Sequence, residues 1–317
     1  MGFWVNFRFS PFAIMLAIEV RDLVKKYDTV TAVNGISLEV KPGEFFGFLG
    51  PNGAGKTTTI HILCTLLRPT SGIAKINGYD CATQALQVRN SIGLVFQETT
   101  LDRELTVYEN LIFNCYLYNL KKSVSEARIE EILRISGLKE RKHHSIMKLS
   151  GGMRRNLDIA RGILHRPKLL FLDEPTIGLD PQARIHIWNF IDELRKQEDM
   201  TVFLTTHYME EAEKCDRIGI IDRGQLIALG SPIQLKRIIQ GDVVHLRTTR
   251  DPEVEQFIQK QFRLSTKRTP EGIFFEVPSG EAFVPVLFKT FGDQIQAINI
   301  NRPSLNDVFI HLTGRGF

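Results

Sequence analysis

Apolar and polar residues alternate with period two over Ile36-Ser37-Leu38-Glu39-Val40 and again over Ile73-Ala74-Lys75-Ile76. The stretch from Leu16 to Gly78 that holds both runs therefore reads as β-rich, with Leu16 to Val20 opening it. Between the two runs the pattern changes. Glu44 to Leu49 is short and mostly apolar and leads into Gly50, and Thr57 to Leu67 carries Ile60, Leu63 and Leu67 at helical spacing until Pro69, which is expected to stop that helix. From about Leu101 to Gly162 the period is helical, with Ile129, Ile132 and Leu133 on one face and Gly137 as a stop. Strands return with Leu169 to Leu172 and Thr201 to Leu204, short apolar runs of the kind buried on both faces of a sheet. The spacing predicts a helix between them, from Pro181 to Lys196, with Asp180 as its cap and Pro181 as its first residue.

The character changes after Gly230, where the remaining sequence reads as strand, helix, strand, strand, helix, strand, helix. This order suggests a ferredoxin-like βαββαβ unit with one extra helix. Asp251-Pro252 marks one helix start, and Ser304 with Asp307 forms a capping box ahead of Val308, Phe309 and Leu312. Pro285 falls inside the apparent helix Gly280 to Phe291, so that helix either begins there or is kinked. Phe257, Phe274, Phe283, Phe288 and Phe309 are expected to fill the unit's core. Three segments result: an extension over 1–14, a large domain over 15–231 and an accessory domain over 232–317.

Composition narrows the class. Of 317 residues, 43% are hydrophobic and 24% charged, which suits a packed globular chain. A formal charge of +4, with both signs interspersed, is too mild to imply a nucleic-acid partner. Cys64, Cys81, Cys115 and Cys215 lie far apart without a C-x-x-C pair, so they suggest neither a metal site nor a disulfide framework and fit a reducing compartment. No run approaches the roughly 20 apolar residues that span a bilayer. Residues 1–14 are apolar and aromatic but lack a cleavage site of small residues, so they read as a start-site artefact ahead of Met15 or as a small membrane-surface patch.

Three segments carry chemistry. Gly50-Pro51-Asn52-Gly53-Ala54-Gly55-Lys56-Thr57 matches the phosphate-binding pattern G-x-x-x-x-G-K-[ST] between an expected strand and an expected helix. Its glycines let backbone N–H groups face phosphates, Lys56 reaches the β- and γ-phosphates, and Thr57, with Thr58 beside it, lies at the nucleotide and offers a hydroxyl to Mg²⁺. Leu169-Leu170-Phe171-Leu172-Asp173-Glu174 is an apolar strand ending in two acids, of which Asp173 suits Mg²⁺ and Glu174 suits a general base. Leu149-Ser150-Gly151-Gly152-Met153 precedes a helix, so Ser150 and the N–H groups of Gly151 and Gly152 stand at an anion-attracting N-terminus.

With that last segment the chain resembles the ATP-binding-cassette (ABC) ATPases, with Met153 where the commonest family signature has glutamine. The likeness covers about Leu16 to Ser231, and the motifs fall in the family's order. The resemblance implies that Tyr27 stacks on adenine, that Gln97 senses Mg²⁺ and the attacking water, that Asp180 communicates between two sites, and that His207 contacts the γ-phosphate. Ser150 to Arg155, Phe171 to Pro181 and Pro303 to Phe309 are similar to the exporter branch typified by daunorubicin-resistance ATPases. The implied fold is a P-loop α/β core with an antiparallel β subdomain and a helical subdomain, extended by the small α+β unit. The implied cofactors are ATP and Mg²⁺. The implied partners are a separately encoded permease and a second ATPase subunit, identical or closely related, which would hold the chain at the cytoplasmic face of a membrane.

Two other classes fit the sequence less well. A soluble ABC protein acting on DNA or ribosomes would tend to carry a long coiled-coil insertion or two cassettes, whereas here only ordinary helical sequence separates Lys56 from Ser150. A nucleotide-gated module with weak turnover would be expected to lose its base, and Glu174 is present. Lys56→Ala is expected to abolish turnover and weaken ATP binding while the chain still folds, because the ammonium neutralises phosphate charge. An ATPase assay on the purified variant checks this, and hydrolysis at the native rate would remove the phosphate-loop assignment.

Overall fold

The computed structural model describes residues 15–239, 241–270 and 272–315, so the extension expected over 1–14 lies outside the described residues. In chain order, β1 (Ile18–Tyr27) and β2 (Val30–Val40) form a hairpin, and β3 (Phe45–Leu49) runs into α1 (Lys56–Leu63). Next come β4 (Ser71–Ile76), β5 (Tyr79–Asp80), α2 (Ala85–Ser91) and β6 (Ile92–Val95). Three helices follow: α3 (Val107–Leu117), α4 (Lys122–Ile135) and α5 (Gly151–Gly162). Then β7 (Leu169–Asp173), α6 (Pro181–Glu198), β8 (Thr201–Thr206), α7 (Met209–Ala212), β9 (Arg217–Asp222), β10 (Gln225–Gly230) and α8 (Pro232–Lys236) complete the region before residue 240. Beyond it lie β11 (Asp242–Thr248), α9 (Asp251–Phe257), β12 (Thr266–Thr269), β13 (Gly272–Val277), α10 (Gly280–Phe291), β14 (Ile295–Asn301) and α11 (Leu305–Thr313). No helix among the described residues is long and apolar enough to cross a membrane.

The central sheet has the order β10-β9-β3-β8-β7-β6, parallel except for the β9–β10 hairpin. Its strands β3, β7 and β8 are buried on both faces. Phe45 and Leu49 point to a core shared with the helices, whereas Phe46 and Phe48 point to a second core under the antiparallel sheet β2-β1-β4-β5. Phe203 sits at the middle of that second core, with ring centroids 5.4 Å from Phe46, 5.6 Å from Phe48 and 5.5 Å from Phe171. Each such ring taken out of water contributes about 1.5–3 kcal/mol, which stabilises the packing of β3, β7 and β8 against the antiparallel sheet. The four cysteines are free and buried, and burial pushes the Cys81 thiol up to about 12.

Helix boundaries follow their caps. Asp180 accepts from Ala183 N at 2.9 Å with Pro181 at the first position of α6, and Ser304 with Asp307 caps α11 reciprocally. α1 is shorter than its apolar spacing suggests. It ends at Leu63 because Thr65 takes φ +65° and turns the chain toward β4 well before Pro69, leaving Leu66 exposed. Pro285 neither starts nor stops α10, which is capped by Ser279 and runs through it.

The last sheet has the order β12-β13-β11-β14 with every pair antiparallel. Its outer face is filled by Val244, Leu246, Ile273, Phe275, Leu287 and Phe291. Of the aromatics expected there, Phe283 packs against this cluster, but Phe257 and Phe288 are exposed, and Phe274 and Phe309 join the larger core instead. The reason is the pleat: neighbouring Phe274 and Phe275 must face opposite sides, and both sides are covered.

Helix α5 meets β6 through glycine. A Cβ on Gly93 would lie 2.3 Å from the carbonyl oxygen of Gly162. Gly93→Ala is therefore expected to cost about 1–3 kcal/mol by overpacking. This would be read as a lower urea midpoint at unchanged slope, and an unchanged midpoint would show that α5 can shift freely.

Candidate functional site

Parallel strands that end level with one another create a common edge, and the register fixes it: Leu49 pairs with Thr206, Asp173 with Thr205, and Val95 with Leu172. The chain leaves these strands as Gly50, Glu174, His207 and Phe96-Gln97, so loops distant in sequence meet at one place. In open α/β sheets this carboxyl end is where ligands bind.

The loop Gly50 to Gly55 is wedged between two hairpins. A Cβ on Gly50 would lie 2.4 Å from Ile221 O, and one on Gly55, at φ +106°, would lie 2.3 Å from Ala32 O. Only glycine fits either position. Ala54 O accepts from Gly224 N at 2.9 Å, and Gly50 N donates to Thr206 O at 3.3 Å. Gly53, at φ +79°, has nothing within 4 Å of a built Cβ, so the mouth of the loop is open. Pro51 is half-buried, Asn52 exposed, and Thr57 and Thr58 half-buried at the start of α1. Tyr27, 42% exposed at the end of β1, stands on the same hairpin as Ala32, with Lys25 Nζ 5.1 Å from its ring centre.

Lys56 is only 4% exposed. Its ammonium donates to Gly50 O at 2.7 Å and Pro51 O at 3.2 Å and pairs with Glu174 Oε1 at 3.0 Å. Glu174 Oε2 lies 3.2 Å from His207 Nδ1. Glu174 itself sits at φ +44°, an unusual conformation for a residue with a side chain. Thr205 holds it there. The Thr205 hydroxyl accepts from Glu174 N at 3.0 Å while donating to Asp173 Oδ1 at 2.5 Å. Thr57 Oγ1 reaches the same Asp173 oxygen at 3.4 Å, so a hydroxyl and a carboxylate converge beside the Gly50–Gly55 loop.

Ser150, Gly151, Gly152 and Asp180 are grouped elsewhere. Ser150 caps α5, accepting from Met153 N at 3.2 Å, and Gly152 lies so close to α6 that a Cβ would be 2.9 Å from Ala183 Cβ. Gly151 faces Leu179. Ser150, Gly152 and Asp180 line a cleft of about 520 Å³ with Asn156 and Phe190. Among the described residues no hydrogen bond joins Ser150 or Gly152 to Lys56 or Thr57. The expected residues thus form two groups, with Gln97 exposed at the end of β6 and its carbonyl oxygen 3.4 Å from Arg155 Nη1.

Several residues escape a motif reading. Thr205 and Thr206 are hydroxyls at the end of a buried apolar strand, and that polarity was the only available signal. Glu211, 4% exposed, accepts from Thr206 Oγ1 at 2.6 Å and from the Thr176 hydroxyl, tying the loop after Glu174 to the loop of His207. Arg155, 7% exposed, donates to main-chain oxygens beside Glu174 and Gln97.

Residues 33–177 match the family model described as "ABC transporter". The chain is 39% identical to the Nod factor export ATP-binding protein I of Cupriavidus metallidurans, over 94% of this chain and 97% of that protein. It is 37% identical to the daunorubicin/doxorubicin resistance ATP-binding protein of Streptomyces peucetius, over 94% and 92%. Among solved structures, a dimeric ATP-binding cassette in a post-hydrolysis state bound to ADP and Pi superposes with a TM-score of 0.62 at 26% identity, covering 68% of this chain and 98% of that one. With a glycine-bounded loop, an acid pair and a histidine gathered at one sheet edge, the chain belongs to the ABC transporter family as an ATP-binding, ATP-hydrolysing subunit that works on ATP with Mg²⁺.

Proposed function

We propose that two copies of this chain, or this chain and a closely related one, close head to tail around two ATP molecules and drive a separately encoded permease that exports its cargo. In this reading residues 15–231 are the nucleotide-binding domain, and 232–317 form a ferredoxin-like accessory domain that regulates or steadies the pair. The chain is held at the cytoplasmic face of a membrane through the permease. The names of the drug-resistance and Nod-factor relatives support the export direction. The observation that carries the pairing is the division of the site: Lys56, Thr57, Asp173 and Glu174 gather at one edge, while Ser150, Gly152 and Asp180 line a separate cleft.

The nucleotide fits the residues present. The glycine cradle leaves backbone N–H groups and Lys56 for the phosphates, and Tyr27 offers an exposed ring on the adjoining hairpin for adenine. Thr57 and Asp173 supply hard oxygen donors for Mg²⁺, which when bound would neutralise charge on the β- and γ-phosphates. Lys56 then exchanges its carboxylate partner for phosphate oxygens, and Glu174, released but still fixed by Thr205, accepts a proton from the attacking water. His207 stands on the far oxygen of Glu174 and can face the γ-phosphate, and Gln97 orients the water from the β6 side. Ser150 and Gly152 of the second chain supply hydrogen-bond donors at a helix N-terminus, and Asp180 reports between the two sites.

Two outcomes are expected. Glu174→Gln forfeits general-base help worth about 10²–10⁴-fold in rate, so the closed pair accumulates with Mg-ATP, and adding Ser150→Arg reverses it by placing bulk and charge at the seam. Light scattering with and without the permease decides, and a Glu174→Gln chain that never closes would sink the sandwich. Thr205→Val deprives Glu174 N and the Asp173 carboxylate of one partner, at about 1–3 kcal/mol or ten- to a hundredfold in kcat, with metal-free nucleotide affinity unchanged. Steady-state rates across a magnesium titration, set beside equilibrium binding, test it.

A further inference from the structure

Arg155 occupies the second turn of α5, five residues beyond the cap Ser150. Neighbouring Arg154 turns back toward the start of α5, donating to Leu149 O, just ahead of the cap, at 2.8 Å. Arg155 turns inward. Its Nε donates to Pro175 O at 2.6 Å and its Nη2 to Asp173 O at 3.1 Å, while Nη1 donates to Phe96 O and, at 3.4 Å, approaches Gln97 O. Among the described residues no carboxylate lies within ion-pair distance of it. Burial pushes its pKa down, and the charges of Asp158 and Asp173 oppose that shift.

Those four acceptors lie in two segments, at and just beyond the ends of β6 and β7. Strands β6 and β7 pair from Ile92–Leu169 to Val95–Leu172, and beyond that the ladder has no further rung. The guanidinium bridges the gap, holding the backbone that leads to Gln97 against the backbone on either side of Glu174. A planar fork with five N–H groups in fixed geometry sets the spacing of several carbonyls at once, whereas a lysine ammonium, a point charge on a flexible stem, does not. A buried cation spent wholly on neutral carbonyls is costly unless geometry holds every bond, so a change in the tilt of α5 must move these loops or break the set.

We propose that Arg155 is a positioning residue for ATP hydrolysis, the strut that couples the helix presenting Ser150 and Gly152 to one nucleotide with the loops presenting Gln97 and Glu174 to the other. The inference rests on the two-chain reading above. Seating of α5 against the nucleotide held by the partner chain sets the base and the water-orienting loop in the chain's own site. Each site then fires only when the other is engaged, which makes turnover cooperative in ATP.

The test is Arg155→Lys in the full-length chain, purified and in membranes carrying its permease. Expected are ATP affinity unchanged within a factor of about three, Mg-ATP closure retained in the Glu174→Gln background, kcat reduced on the order of 10²-fold, and loss of cooperativity in ATP. A merely structural role would lower binding, closure and melting temperature together, and that pattern overturns the inference, as does native cooperative turnover. Should the lysine chain not fold, Arg155→Gln, which keeps one amide for one carbonyl, is read by the same measurements and native turnover in it is equally fatal. Failure of Glu174→Gln to close with native Arg155 overturns the two-chain reading and this inference with it. Closure there, with native rates in Arg155→Lys, overturns this inference alone.

Discussion

A lysine ammonium buried to 4% exposure must be compensated on every side, and that requirement organises the site. The loop from Gly50 turns two carbonyl oxygens inward to meet it, and glycine is needed where that turn presses against Ile221 and Ala32. The third partner, Glu174, directly follows β7, which is not the neighbour of β3. Strand β8 lies between them in the order β3-β8-β7, so Lys56 and Glu174 reach across its end. The residues at that end become part of the site by position alone. Thr206 O takes the N–H of Gly50, Thr205 holds both acids, and His207 follows directly.

The Lys56–Glu174 pair also sets the order of events in the proposed reaction. While it stands, the base is neutralised by the cation that phosphate must claim. A triphosphate carries more charge than one carboxylate and can draw Lys56 to itself, yet Glu174 keeps its backbone bonds to Thr205 and its contact with His207. The base is thus set free electrostatically without being displaced, which is pre-organisation of the kind that lowers a barrier without reorganisation at the moment of reaction.

What could be read from the chain was what is contiguous in it. The phosphate loop, the acid pair after an apolar strand and the cap at Ser150 each concern a few adjacent residues whose local geometry suffices to state the chemistry. Arg155 was not legible as a strut because its partners are carbonyl oxygens up to 59 residues away, and any residue offers one. Thr205 left only the faint signal of a hydroxyl in an apolar run. The two phenylalanines Phe274 and Phe275 could not be sorted between cores because period two says that they face apart, not which face meets which layer. For α1 the apolar spacing continued past Leu63 although Thr65 had already turned the chain, since side-chain periodicity carries no record of a backbone angle.

The segment from Asp173 to Asp180 runs from the acid pair to the cleft lined by Ser150 and Gly152, and side chains from several elements hold it. At one end Arg155 holds Asp173 O and Pro175 O from the α5 side, and Thr205 holds Glu174 N from the strand side. Just beyond, the Thr176 hydroxyl is tied to the buried carboxylate of Glu211, which also takes the hydroxyl of Thr206. At the other end Asp180 caps α6 beside Gly152. A segment so held has few ways to move alone. Displacement of α6 or α5 at the cleft must either be absorbed by breaking bonds to buried partners, each costing about 1–3 kcal/mol, or be passed on to the acids at its far end. With every alternative involving an unsatisfied buried group, transmission is the cheaper course, and the same bonds that fix the geometry of the acids make them responsive to the cleft.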